Sequence, residues 1–86
     1  MPFAVRLRAG RCYLFGAALD DSPGLLDLWL AGRDGAVLSA DTNERERAMV
    51  FHCPRHDGPA TVQVRVQGGR GEFVYEAFEG SDAAGR

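Results

Sequence analysis

Hydrophobic and polar residues alternate with a period of two along much of the chain. The pattern is clearest in 61–67, where three valines are each separated by one polar residue, and it recurs in 3–8 and 25–31. Successive side chains of a β-strand point to opposite faces, so this period predicts strands with one buried face. No segment of ten or more residues shows a helical period. The pattern therefore predicts an all-β protein.

Short apolar runs separated by turn-forming residues complete the predicted set of strands. Glycine, proline, aspartate and serine cluster between the runs, as is typical of turns. The polar segment 41–47 predicts a solvated loop or one short helical turn. About seven short strands at even spacing favour an antiparallel sandwich or barrel. The additional apolar runs are 12–19, 36–40, 48–53 and 72–79, and the turns are 20–24, 32–35 and 68–71.

The length of 86 residues predicts one domain with a thin core. A domain of this size buries only about 60% of the surface of its unfolded chain, so it benefits from a covalent link or from a neighbouring protein. We expect a single β-sandwich domain over 1–80. The small, polar residues 81–86 predict a flexible tail.

Composition argues against several classes of partner. The net charge is −2 and all ten cationic residues are arginine, so no excess of positive charge is available for a nucleic-acid backbone. No apolar run approaches the roughly 20 residues that cross a bilayer, which argues against membrane insertion. The first ten residues lack the apolar stretch of a signal peptide, so no signal peptide is visible in the chain as given.

Several short motifs recur at the predicted strands and turns. They are Tyr-Leu-Phe at 13–15, Leu-Asp-Leu-Trp-Leu at 26–30, Asp-Gly at 34–35, Asp41, Gly58 before a Val-x-Val-x-Val strand, and Gly-Arg-Gly-Glu-Phe at 69–73. The chain resembles the bacterial pre-peptidase C-terminal domain, which implies a jelly-roll-like β-sandwich acting as an accessory, targeting or substrate-binding module of an exported protein. Leu25 departs from the family pattern, which has aspartate at this position, and this puts an acidic role of that strand in doubt.

Cys12 and Cys53 are candidates for a disulfide. Such a bond would close a loop of about 40 residues and contribute roughly 4 kcal/mol on the chain-entropy model. A secreted or periplasmic location, which the resemblance implies, would favour the bond. The alternative is a pair of reduced cysteines that act as small apolar residues of the strands.

Oxygen-bearing side chains in the predicted loops are weak candidates for a calcium site, and no other cofactor is predicted. Asp20, Asp21, Asp34 and Asp41 have the ligand type that calcium prefers. Their spacing matches no EF-hand, and aspartate also closes turns through its own hydrogen bonds. The alternative is that these residues only form turns.

Strand facing predicts a contact surface. If Leu26, Leu28 and Leu30 face the core, then Leu25, Asp27 and Trp29 face outward. In the final strand, placing Phe73, Tyr75 and Ala77 inward leaves Val74 and Phe78 on the outer face. An outward tryptophan with apolar neighbours suggests a surface for another protein, another copy of the chain or a sugar ring.

The sequence contains no recognisable catalytic constellation. There is no Gly-x-Ser-x-Gly motif, and the two histidines lie in one short segment. We therefore expect a non-catalytic interaction module of an exported protein or a larger assembly. Two alternatives stay open: a carbohydrate- or polymer-binding domain that uses Trp29, and a structural subunit of a protein complex.

Overall fold

The computed structural model describes residues 2–19, 24–68 and 73–81 and contains seven strands and no helix within these ranges. The predicted all-β class is confirmed. Nothing in the described ranges has the helical length and apolarity needed to cross a membrane. The strands are β1 (Pro2–Leu7), β2 (Arg11–Leu19), β3 (Leu25–Ala31), β4 (Val37–Arg45), β5 (Arg47–His52), β6 (Gly58–Gln67) and β7 (Phe73–Ser81).

The strands form two antiparallel sheets. The four-stranded sheet has the order β1-β6-β3-β4, and the three-stranded sheet has the order β5-β2-β7. Every pairing within the sheets is antiparallel. The prediction of a small antiparallel sandwich of about seven strands is therefore confirmed. The turn predicted at 32–35 is also present, since the Gly35 amide donates to the Gly32 carbonyl at 3.0 Å.

The core lies between the inner faces of the two sheets and is built by alternation. Leu26, Leu28 and Leu30 of β3 are fully buried, as the sequence pattern predicts. At one margin of the sandwich, Phe3 of β1 stacks on Tyr75 of β7 with ring centroids 4.1 Å apart. The other buried apolar residues are Leu7, Tyr13, Phe15, Ala17, Ala48, Val50, Ala60, Val62 and Val64.

The prediction for 41–47 is wrong. This segment is neither a loop nor a helical turn, because β4 continues to Arg45 and β5 begins at Arg47. β4 is the edge strand of its sheet, where polar side chains remain in water and cost little. The Glu46 carbonyl accepts the Leu19 amide at 2.8 Å, which fixes the corner between the two strands. Strand pairing, rather than apolar alternation, therefore determines this segment.

The predicted disulfide is confirmed between Cys12 and Cys53. Cys12 lies at the start of β2, and Cys53 follows the last residue of β5. The bond therefore ties two neighbouring strands of the three-stranded sheet together. Of the predicted tail, Ser81 is the last residue of β7, and 82–86 lie outside the described residues.

Candidate binding surface

The outer face of the three-stranded sheet carries large exposed apolar side chains. In β5 the small residues Ala48 and Val50 point into the core, while Met49 and Phe51 point outward. Phe51 has 61% of its surface exposed, and Phe78 of β7 has 58%. Burial in β5 is therefore the reverse of what residue size alone would suggest.

Strand register gathers these side chains into one surface, which we call the apolar platform: Leu14, Gly16, Ala18, Met49, Phe51, Val74 and Phe78. Residues directly opposite one another in antiparallel strands share a face. Three cross-strand rows result, each running from β5 through β2 to β7. The rows are Phe51, Leu14 and Phe78; Met49, Gly16 and Glu76; and Arg47, Ala18 and Val74.

Gly16 creates a hollow at the centre of the platform. Its neighbours in register are Met49 and Glu76, and its missing side chain leaves the space between them open. A Cβ atom placed on Gly16 would approach only the Ala48 carbonyl oxygen, at 3.8 Å. The hollow has a volume of about 440 Å³. The charged residues of its lining are Asp41, Arg45, Arg47 and Glu76.

The disulfide lies beside the platform. Cys12 is two residues before Leu14 in β2, so strand alternation places both on the same face. Cys53 has the same relation to Phe51 of β5. The bond thus holds β5 against β2 at one end of the apolar platform.

A charged cluster around Asp27 lies on the outer face of the four-stranded sheet. The Asp27 side chain accepts hydrogen bonds from Arg65 at 2.6 and 3.1 Å and from Gln67 at 2.9 Å. Only 2% of the Asp27 surface is exposed. The hydrogen bond from Arg65 lowers the pKa of Asp27 against the opposing effect of burial, and Gln67 adds to the lowering. The Asp27 carboxylate is thus bound within the molecule.

Trp29 lies beside this cluster and is half-buried. The Arg65 guanidinium carbon lies 5.9 Å from the centroid of the Trp29 ring, within the range of a cation–π contact. Leu25 of the same face is also half-buried. The five residues predicted for a binding surface are therefore divided between the two sheets: Leu25, Asp27 and Trp29 lie on one outer face, and Val74 and Phe78 lie on the other.

Sequence reasoning missed Leu14, Met49 and Phe51 as surface residues. The available signal was that both faces of β5 are apolar and that the larger residues occupy alternate positions. In β2 the nearly continuous apolar run concealed the same division, because every position looked like core. Only the register with β5 and β7 identifies the outward set.

The candidate calcium ligands that the structure describes have hydrogen-bonding roles. Asp34 accepts the Ala36 amide at 3.0 Å within a turn, and Asp41 accepts the Met49 amide at 2.9 Å. Asp20 and Asp21 lie outside the described residues. Within the ranges that the structure describes, no three acidic, histidine or cysteine side chains are grouped as metal ligands.

A second hollow of about 330 Å³ lies at one end of the sandwich. His52, Arg55 and His56 contribute to its lining. Asp57, also at this hollow, accepts the Ala9 amide at 2.7 Å and so fixes the connection after β1. We regard this hollow as a junction of loops, because the connection between β5 and β6 supplies Pro54, Arg55, His56 and Asp57 to its lining.

Comparison with protein-family models, with characterised proteins and with solved structures finds no match for this chain. The functional proposal therefore rests on the fold and on the two outer faces.

Proposed function

We propose that the protein is a non-catalytic interaction module that binds another protein through the apolar platform. The observation that carries the proposal is the exposure of Met49, Phe51, Val74 and Phe78 on one continuous sheet face. Contiguous apolar surface is costly to leave in water, and in soluble proteins it usually marks a site of interaction.

The apolar part of the lining of the hollow supports binding of a protein. Its floor is formed by Leu14, Gly16 and Ala18 of the central strand β2, and none of these three residues has a polar side chain. Phenylalanine, methionine and arginine, which surround this floor, are enriched at the centres of protein–protein interfaces. The exposed side chains of Met49, Phe51, Val74 and Phe78 carry no hydroxyl, amide or charged group that could bind sugar hydroxyls, so this apolar surface favours a protein over a carbohydrate.

The disulfide supports a setting outside the reducing cytosol. Disulfides persist mainly in secreted, periplasmic and other oxidising environments. The resemblance to the bacterial pre-peptidase C-terminal domain stays a prediction that agrees with this setting. On this proposal the partner is a parent protein or another subunit of an exported assembly.

The test compares two serine pairs in capture experiments from the native source. Phe51→Ser with Phe78→Ser removes two rings from the platform, whereas Val37→Ser with Leu38→Ser removes exposed apolar side chains of β4. We expect the platform variant to retain at least about tenfold less partner than the wild type, since few residues dominate an interface. The β4 variant should bind normally.

Equal capture by all three proteins would contradict the proposal, provided that their melting temperatures agree. A Trp29→Ala variant tests the carbohydrate alternative. Loss of retention on a polysaccharide column by this variant, with the platform variant unaffected, would favour polymer binding by the four-stranded sheet.

A further inference from the structure

We propose that the partner binds as an extended strand along the free edge of β7, with a basic residue opposite Glu76 and apolar residues on either side of it. This inference rests on the proposed function and specifies the chemistry of the partner. It combines three features of β7: its position in the sheet, the side chains of its outer face and its charge.

β7 is an open edge of the three-stranded sheet. It pairs with β2 along all nine of its residues, and no other described strand pairs with its second side. A strand edge presents unpaired amide and carbonyl groups, and proteins usually protect it with proline, charged side chains (lysine above all) or a covering segment. The sequence Phe73–Ser81 contains no proline, lysine or arginine, and its charged residues are Glu76 and Glu79.

The other edges differ from β7 in this respect. β1 begins with Pro2 and carries Arg6. At the opposite margin of the sandwich, the Met49 amide of β5 donates to Asp41 of β4, so the edge strands β4 and β5 cover part of each other's edges. Among the edges that the structure describes, β7 is therefore the best suited to accept an added strand.

The outer face of β7 specifies what the added strand should carry. Val74, Glu76 and Phe78 point to the platform at alternate positions, giving an apolar, acidic and apolar order. A strand paired with β7 would place its own alternate side chains beside these three and extend the platform. Apolar residues of the added strand would fit beside Val74 and Phe78.

Charge complementarity indicates which residue of the added strand fits opposite Glu76. Glu79 of β7 forms an ion pair with Arg11 at 2.8 Å, whereas Glu76 is exposed and forms no ion pair with another described residue. Opposite charges on directly facing residues stabilise a strand pair, and like charges destabilise it. Arginine or lysine is therefore the residue that fits opposite Glu76.

The same rule disfavours a second copy of this chain. In an antiparallel pairing of two β7 strands, the register that sets Val74 of one copy against Phe78 of the other joins the two platforms. That register also sets Glu76 directly opposite Glu76. Two carboxylates would then face each other at the centre of the added pair, so a basic strand from a different protein fits better.

The experiment uses two short capped peptides as probes, Thr-Val-Thr-Arg-Thr-Val-Thr and the same peptide with glutamate in place of arginine. Titration is followed by NMR of the labelled full chain. We expect wild-type protein to bind the arginine peptide roughly tenfold more tightly than the glutamate peptide. The amide signals that move most should be those of β7.

Glu76→Arg should reverse the preference between the peptides. Glu46→Arg is the matched control, because it makes the same charge change at the corner between β4 and β5, and it should keep the wild-type preference. An unchanged preference in Glu76→Arg, or amide shifts confined to other strands, would overturn the inference. A wild-type dimer in sedimentation that excludes both peptides would also overturn it, in favour of a second copy.

Failure here is distinguishable from failure of the proposed function. If the serine variant of Phe51 and Phe78 no longer captures the natural partner, but neither peptide shifts the amide signals of β7, the platform binds proteins by another geometry. If that variant keeps the natural partner, the platform itself is not the binding surface.

Discussion

The outer faces of the two sheets differ in how far the protein's own side chains cover them. On the four-stranded sheet, the outer face of β3 is covered by side chains of the same sheet, since Arg65 and Gln67 bind the buried Asp27 carboxylate and Arg65 also approaches Trp29. The three-stranded sheet leaves Met49, Phe51, Val74 and Phe78 in solvent.

This difference indicates which outer face of the sandwich is available to bind a partner. A buried carboxylate requires hydrogen-bond donors, and within the Asp27 cluster Arg65 and Gln67 of the same sheet supply them. An apolar face has no such requirement within the molecule and gains most from a partner that excludes water. The four predictions that follow test the comparison, from the largest expected effect on stability to the smallest.

Removal of the disulfide should weaken the three-stranded sheet most. Replacing Cys12 and Cys53 with serine frees a loop of 41 residues, and the chain-entropy model gives a loss of about 4 kcal/mol in the free energy of unfolding. Urea denaturation of the wild type with and without reductant should show the same loss. The serine variant should not respond to reductant, and a wild type that is equally stable when reduced would contradict the prediction.

Loss of Arg65 should lower stability through the Asp27 cluster on the four-stranded sheet. Arg65→Ala leaves the Asp27 carboxylate buried with only the Gln67 donor, which we expect to cost about 2 kcal/mol. This value is below that of a fully buried pair because 61% of the Arg65 side chain is exposed and water screens it. Arg33→Ala in the exposed turn is the control and should change stability by less than about 0.5 kcal/mol. If the two substitutions changed the free energy of unfolding equally, the Asp27 cluster would not be what stabilises this face.

The same cluster should make stability depend on pH in the acid range. The pKa of Asp27 is lowered in the folded protein, so the unfolded chain takes up a proton first as the pH falls. The contribution of Asp27 is therefore present above its ordinary pKa and is lost as the pH falls through the lowered folded value. In Arg65→Ala this acid-dependent loss should be smaller or reversed, as urea denaturation between neutral and acid pH can measure. A parallel pH dependence in both proteins would contradict this assignment.

Filling the hollow should affect binding with little effect on stability. Gly16→Val places methyl groups above Gly16, where only the Ala48 carbonyl approaches a new Cβ atom. Stability should stay the same or rise by up to about 1 kcal/mol, because valine suits a strand better than glycine. Binding of the natural partner should fall at least about tenfold.

Gly58→Val in β6 is the matched control, since it is the same substitution in a strand and a Cβ atom at Gly58 meets nothing within 4 Å. It should leave partner binding unchanged. Equal binding by the wild type and both valine variants would show that the hollow is not part of the interface.

Much of the fold was predictable because it depends on local order along the chain. The alternation in 61–67 and the turn at 32–35 identified strands and their connection from neighbouring residues alone. The segment 41–47 was not predictable in this way, because its strand conformation comes from pairing at a sheet edge. Local polarity indicates exposure there but does not distinguish a loop from an edge strand.

The candidate site was less predictable for a related reason. Val74 and Phe78 were identified by alternation within one strand, but their neighbours Leu14 and Phe51 are distant in sequence and meet them only through register. Asp27 was placed correctly on an outer face, yet its burial depends on Arg65 and Gln67, which follow it by 38 and 40 residues.

The sequence by itself determined the strand period, several turns and the inward and outward sets within most strands, because backbone geometry imposes a period of two. Only the tertiary structure decided which outward sets share a face and which of them are covered. Sheet order joined β5, β2 and β7 into an apolar platform, and β6 brought Arg65 over Asp27 and Trp29. The physical reason is that burial depends on neighbours in space, and those neighbours come from strands far apart in the chain.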